Sequence, residues 1–129
     1  HIALKQNQQV FKLAITDDLQ KSIATFKMHI DKIENQLVLM ETTKQEVIKG
    51  RKALQEIENK ADKVSNVTDA VAKAALSAGL AAEGPIADVE KVTKELGITP
   101  DNIPGYAEAN LLSNKLDAAY SKLNNFRWE

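Results

Sequence analysis

The chain has 129 residues, a length that suits one domain with a single core. Its 17 basic and 18 acidic residues give a formal net charge of -1, which disfavours proteins that bind nucleic acid or anionic membranes through bulk charge. The lack of cysteine excludes disulfides, thiolate metal sites and cysteine nucleophiles, while the scarcity of glycine, proline and aromatic residues favours an all-α fold.

The start of the chain and its hydropathy bear on targeting. The first residue is His1 rather than methionine, so we expect a processed product or a segment of a longer chain. The longest uncharged run, residues 74–82, is far shorter than the roughly 20 apolar residues that a spanning helix needs. We therefore predict no membrane span, and the sequence leaves the localisation unknown, with a cytoplasmic or virion-associated protein as the preferred expectation.

A long segment without helix breakers opens the chain. Residues 1–83 contain no proline and only two glycines, Gly50 and Gly79. Within this segment apolar residues recur at alternating spacings of four and three, which is the pattern of a coiled-coil face. We call this set the heptad seam: Leu19, Ile23, Phe26, Ile30, Ile33, Leu37 and Met40. The pattern predicts one long N-terminal helix over about residues 3–64.

The heptad seam weakens after Met40. The following seam positions include Lys44 and Arg51, and beyond Gly50 the apolar face moves to a neighbouring stripe. This rotation leaves a second interpretation open, in which the helix bends or changes its packing partner near Gly50.

Caps and helix breakers divide the rest of the chain into shorter helices. Residues 65–69 are rich in cap and turn formers, so they predict a turn that leads into an alanine-rich helix. Gly84, Pro85 and Gly97 bound a second short helix, and a third follows Gly105. The predicted return helices cover about residues 67–83, 85–96 and 105–124. The expected fold is all-α: an elongated helical bundle or antiparallel coiled-coil hairpin, built on the long N-terminal helix and forming one domain over residues 1–129.

The heptad seam cannot face water, because each fully buried residue of this kind contributes roughly 1.5 to 3 kcal/mol relative to exposure. Two coverings are open: the later helices of the same chain, or a second chain. We therefore take the central seam residues as candidate interaction residues: Ile23, Phe26, Ile30, Ile33, Leu37 and Met40.

Three aromatic residues in the second half complete the candidate interaction set. Phe126 and Trp128 flank Arg127 at the end of a chain with few aromatic residues. They either fold back onto the bundle or form a contact surface for a partner. Tyr106, which follows Pro104 and Gly105, is a similar candidate at a bend.

The titratable residues give little sign of catalysis. His29 has no carboxylate four residues away on either side, so it is expected at the surface or at the edge of the seam rather than in a metal pair. No serine lies in a nucleophile elbow, and no loop has the glycine pattern of a phosphate site. The sequence thus predicts no catalytic, cofactor-binding or metal-binding residues and indicates a protein that is not an enzyme.

These features are typical of a non-enzymatic structural or assembly module that acts through coiled-coil packing in a larger complex, such as a virion or a secretion machine. The expected partners are other proteins, or further copies of the chain that associate through the heptad seam. Nucleic acid is not an expected partner.

Two other functions are left open by the sequence. The alanine-rich segment 70–82 would suit a secreted membrane-active or pore-forming protein whose hairpin rearranges in lipid. Lys49, Arg51 and Lys52 form a basic helix face that would bind nucleic acid or an acidic partner weakly.

Overall fold

The computed structural model describes residues 2–50 and 54–128, and this part of the chain contains helices and no strands. The helices are α1 (Ile2–Lys49), α2 (Leu54–Ala82), α3 (Gly84–Leu96) and α4 (Tyr106–Asn124), with a single 3-10 turn at Pro100–Asn102 before α4. α1 has 48 residues, so it is about 72 Å long at 1.5 Å per residue. The predicted all-α bundle, built on a long N-terminal helix with three helices after it, is confirmed.

α2 packs antiparallel to α1. The side chain of Ser22 reaches the carbonyl of Ala82 at the end of α2, whereas the side chain of Gln36 reaches Thr68 near the middle of α2. α3 follows α2 without a reversal of direction and continues along α1 towards the N-terminus. The return path therefore consists of two helices laid end to end on one side of α1.

α4 runs parallel to α1. Near its start, Glu108 forms a 3.4 Å ion pair with Lys27, and beyond its end the ring of Phe126 lies under the ammonium group of Lys44. Gly105 precedes α4 with φ +90, and an added Cβ there would lie 3.0 Å from the Gln20 amide nitrogen. A glycine is thus needed where α4 begins against α1.

The core lies between α1, the α2–α3 return and α4. Its largest fully buried residues come from α1, from α3 in the return path and from the turn before α4. They are Phe26, Leu19, Ile33, Ile103, Val89, Thr43 and Thr93. This three-layer arrangement covers the face of α1 that the heptad seam predicts to be apolar.

The predicted helix over residues 3–64 is wrong at its C-terminal end. α1 ends at Lys49, and Gly50 follows in the left-handed region with φ +59, donating its backbone N–H to the Val47 carbonyl at 3.2 Å. Glycine adopts this conformation without the steric cost that a Cβ imposes. The sequence left open a bend or a change of packing partner near Gly50, whereas the structure shows that the helix ends there and that α2 returns antiparallel along α1.

The predicted turn at residues 65–69 is also wrong, because the whole segment lies inside α2. Its polar side chains are compatible with a helix when they bond within it. Thr68 donates its hydroxyl to the Val64 carbonyl at 2.7 Å, and that same hydroxyl accepts a hydrogen bond from α1. Packing against α1 therefore overrides the local preference of these residues for caps and turns.

Candidate functional site

The heptad seam lies in the core of this chain. Ile23, Phe26, Ile30, Ile33 and Met40 are buried, and Leu37 is partly buried against the same core. The residues that cover them belong to the later helices, including Val64 and Ala75 of α2 and Leu116 of α4. The structure thus brings the six predicted interaction residues together in the core of this chain.

A second set of buried residues, which was not predicted from the sequence, runs beside the heptad seam. We call it the polar stripe: Ser22, His29, Gln36 and Thr43, which are all buried. These four residues are spaced by seven, and each stands directly before a seam position. The spacing of seven is present in the sequence, but the residues are polar, and the apolar periodicity that predicts burial does not include them.

Two members of the polar stripe bond to α2. Ser22 donates its hydroxyl to the carbonyl of Ala82 at 2.7 Å, and Gln36 donates its amide to the Thr68 hydroxyl at 2.8 Å and to the Val64 carbonyl at 3.3 Å. The Ala82 carbonyl is one of the last four in its helix and has no acceptor role within α2. These bonds fix which residues of α2 stand opposite which residues of α1.

His29 is the unusual member of the polar stripe. Its side chain is buried, and Nδ1 has no hydrogen-bond partner in the described part of the chain. Burial lowers the pKa of His29 below its usual 6.5, and the charge of Lys32 lowers this pKa further. Because the stripe runs antiparallel to α2, His29 stands at about the level of Ala75. The sequence predicted a histidine at the surface or at the edge of the seam. His29 lies at the edge of the seam and is buried.

Tyr106 does not form an exposed surface at the bend. It is buried at the start of α4 and donates its hydroxyl to the Glu90 carboxylate of α3 at 2.7 Å. Burial raises the pKa of Tyr106 to about 12, with the Glu90 hydrogen bond and charge adding to the effect. Tyr106 therefore joins α3 to α4 across the turn.

The aromatic residues at the C-terminus fold back onto the bundle. Phe126 and Trp128 pack against the core and meet edge to face, with ring centroids 5.2 Å apart. The Lys44 ammonium lies 5.5 Å from the centroid of the Phe126 ring, which is a cation–π contact. This contact explains how a lysine occupies a seam position: its charge faces an aromatic ring instead of another apolar side chain.

The outer face of α2 carries an exposed apolar pair between opposite charges. Leu76 is 49% and Leu80 64% exposed, and Lys73 is exposed. Glu83 directly follows the last residue of α2, is partly buried and accepts a 3.3 Å hydrogen bond from the Ser113 hydroxyl of α4. We call Lys73, Leu76, Leu80 and Glu83 the α2 stripe. A groove of about 250 Å³ lies beside it, between α2 and α4, and its lining includes Leu116, Asp117 and Tyr120 of α4. The sequence predicted close packing for this helix, with a membrane-active hairpin as the alternative, and no protein contact on its outer face.

The predicted basic face lies partly outside the described residues. Lys49 is exposed at the end of α1, whereas Arg51 and Lys52 fall in the undescribed segment 51–53. In residues 2–50 and 54–128, no three histidine or carboxylate side chains cluster in a way that could hold a metal ion. Within those same ranges, no helix combines the length and apolarity needed to cross a membrane.

Comparisons with known proteins do not extend this description. No protein-family model, curated protein or solved structure matches the chain. The chemistry of the exposed surface therefore carries the functional argument.

Proposed function

We propose that this chain is a non-enzymatic structural or assembly module that binds protein through a helix surface. The observation that carries the proposal is the α2 stripe, where Leu76 and Leu80 are exposed on a bundle whose core is already closed. The heptad seam, for which the sequence left open a core or a contact with a second chain, packs against the chain's own helices. The exposed outside of α2 supports this proposal better than the heptad seam does.

Single exposed leucines are common on soluble proteins and need no explanation. Leu76 and Leu80 are four residues apart on one helix, so their side chains adjoin on the same face, and both line the groove between α2 and α4. The lining of this groove also includes the partly buried Tyr120 and the buried Leu116 of α4. An apolar pair next to a groove is the form of surface into which a partner helix packs.

Site-specific photo-crosslinking in the cells that make the protein tests this proposal. A photoreactive phenylalanine analogue replaces Leu80, and the same analogue replaces Leu111, which is 55% exposed on α4 and does not line the groove. We expect covalent protein adducts from position 80 and few from position 111. Equal or absent adducts at the two positions would contradict the proposal, whatever the identity of the crosslinked protein.

The two other functions suggested by the sequence make separate predictions. A membrane-active protein would release dye from liposomes at some pH, and intact vesicles over a broad pH range would exclude it. Binding of nucleic acid through the basic face would depend steeply on salt, so a titration at low ionic strength that shows no association would exclude that function.

A further inference from the structure

We infer that the α2 stripe is the contact surface for a second copy of this chain, with the two α2 helices antiparallel about a two-fold axis. The inference rests on the proposed function, because it names the partner for the same surface. A two-fold contact places one patch against itself, so the patch must be complementary to its own rotated image.

The spacing of the α2 stripe meets the first requirement for such a contact. From Lys73 to Glu83 the four positions are separated by three, four and three residues, which keeps them on one face of the helix. This is the spacing by which α1 packs inside its own bundle. On α2 the first three members, Lys73, Leu76 and Leu80, lie on the outer surface, where the described residues of the chain leave Leu76 half exposed and Leu80 mostly exposed.

The charges of the α2 stripe meet the second requirement. Lys73 and Glu83 lie equally far on either side of the midpoint between Leu76 and Leu80. In an antiparallel pair, Lys73 of one chain therefore meets Glu83 of the other, and Leu76 meets Leu80, twice by symmetry. A parallel pair would bring the two Lys73 side chains together and would be repelled.

The groove beside the stripe strengthens this charge pattern. Asp117 of α4 lines the groove together with Glu83 and Leu80, so the groove that the partner's Lys73 would approach carries two carboxylates. The same carboxylates would repel an anionic lipid surface. The face thus suits a partner that presents an apolar pair with a cation at one end, and a second copy of this chain presents that arrangement.

Charge-reversal variants test the antiparallel register. In sedimentation velocity over a concentration series, we expect the unmodified chain to dimerise and Lys73→Glu and Glu83→Lys each to weaken dimerisation by about tenfold, because each places like charges at two symmetric contacts. An equimolar mixture of the two variants should restore dimers, since both contacts again join opposite charges. A mixture that stays as monomeric as its separate components would contradict the register.

The apolar pair has an independent test with a matched control. We expect Leu80→Glu to abolish the dimer and Leu111→Glu to leave it intact, with circular dichroism showing that both variants are folded. Because this pair does not depend on Glu83, a Glu83→Lys chain that fails to fold leaves the surface testable. A dimer that survives Leu80→Glu, or an unmodified chain that is monomeric at every concentration, would overturn the inference.

Failure of the second-copy inference can be distinguished from failure of the proposed function. A monomeric chain whose position 80 crosslinks to a different protein would overturn the second-copy inference and leave the assembly function standing. A monomeric chain without adducts at position 80 would overturn both.

Discussion

Two stripes run side by side along α1, and they contribute to the fold in different ways. The heptad seam buries aliphatic and aromatic side chains, and this contribution has no preferred direction. The polar stripe buries hydroxyl, imidazole and amide groups, two of which bond to named atoms of α2. The seam sets how strongly the helices pack, whereas the polar stripe sets their alignment.

The difference matters because a repeating apolar seam can pack in more than one register. A shift of α2 by one heptad would again place apolar residues opposite much of the seam. The same shift would separate Gln36 from Thr68 and Ser22 from the free carbonyl of Ala82. Buried polar groups without partners are costly, so the hydrogen bonds select one alignment among several.

The largest effect is expected when a charge enters the heptad seam. Ile33 is 0% exposed, so Ile33→Asp should lower the free energy of unfolding by at least about 4 kcal/mol or prevent folding. Urea denaturation followed by circular dichroism measures the change. Val38→Asp introduces the same charge on the same helix at a position that is 67% exposed, and it should cost about 0.5 kcal/mol or less. Equal stabilities for the two variants would contradict the assignment of the seam to the core.

A smaller loss is expected in the middle of the polar stripe. Gln36→Ala removes the amide that donates to Thr68 and Val64 and should cost about 1 to 3 kcal/mol. Asn35→Ala, at an exposed neighbouring position, is the control and should change the stability little. If Gln36→Ala were as stable as the control, its hydrogen bonds would not contribute to the alignment of α1 and α2.

Substitution of Ser22, at the N-terminal end of the polar stripe, should lower the free energy of unfolding by less. Ser22→Ala removes the donor to the Ala82 carbonyl and should cost about 0.5 to 1.5 kcal/mol. Hydrogen exchange should show faster exchange confined to the last turn of α2 and the start of α3. Loss of protection throughout α2 would show instead that Ser22 supports the whole helix.

His29 predicts a pH dependence whose sign follows from its lowered pKa. The unfolded chain binds a proton at His29 near pH 6.5, whereas the folded chain resists protonation until a lower pH. The contribution of neutral His29 to the free energy of unfolding is therefore fully present above pH 6.5, and it is lost progressively as the pH falls below that value. His29→Leu should flatten the dependence of Tm between pH 7.5 and 5.5. An NMR titration midpoint for His29 at or above 6.5 would contradict its burial.

The heptad seam could be predicted from the sequence because apolar spacing reports directly on burial. Whether this seam forms a core or an interface could not be predicted, because packing against the same chain and packing against a second chain remove the same surface from water. The polar stripe has an equally regular spacing, but residues such as Ser22 and Gln36 are usually exposed. Only the placement of α2 opposite them shows why they are buried.

The position of the helix break depended on packing between distant segments. Residues 65–69 have the composition of a turn, yet Thr68 bonds within α2 and to Gln36, which stands 32 residues earlier. Gly50 is a single glycine in a long helical pattern, and such a residue is often tolerated inside a helix. Packing between α1 and α2 therefore determines which of these two sites ends the helix.

The most direct test of this account is the distance between α1 and α2. The chain contains no cysteine, so spin labels on Asp31→Cys and Ala74→Cys, both at exposed positions, are unique. With the turn at Gly50, the two labelled helices are adjacent, and their axes lie about 10 Å apart. Double electron–electron resonance on samples diluted with unlabelled chain should therefore give a short distance between the two spin labels. A helix continuing to residue 64 would separate the labelled positions by roughly 40 Å, and a distribution centred there would contradict the account.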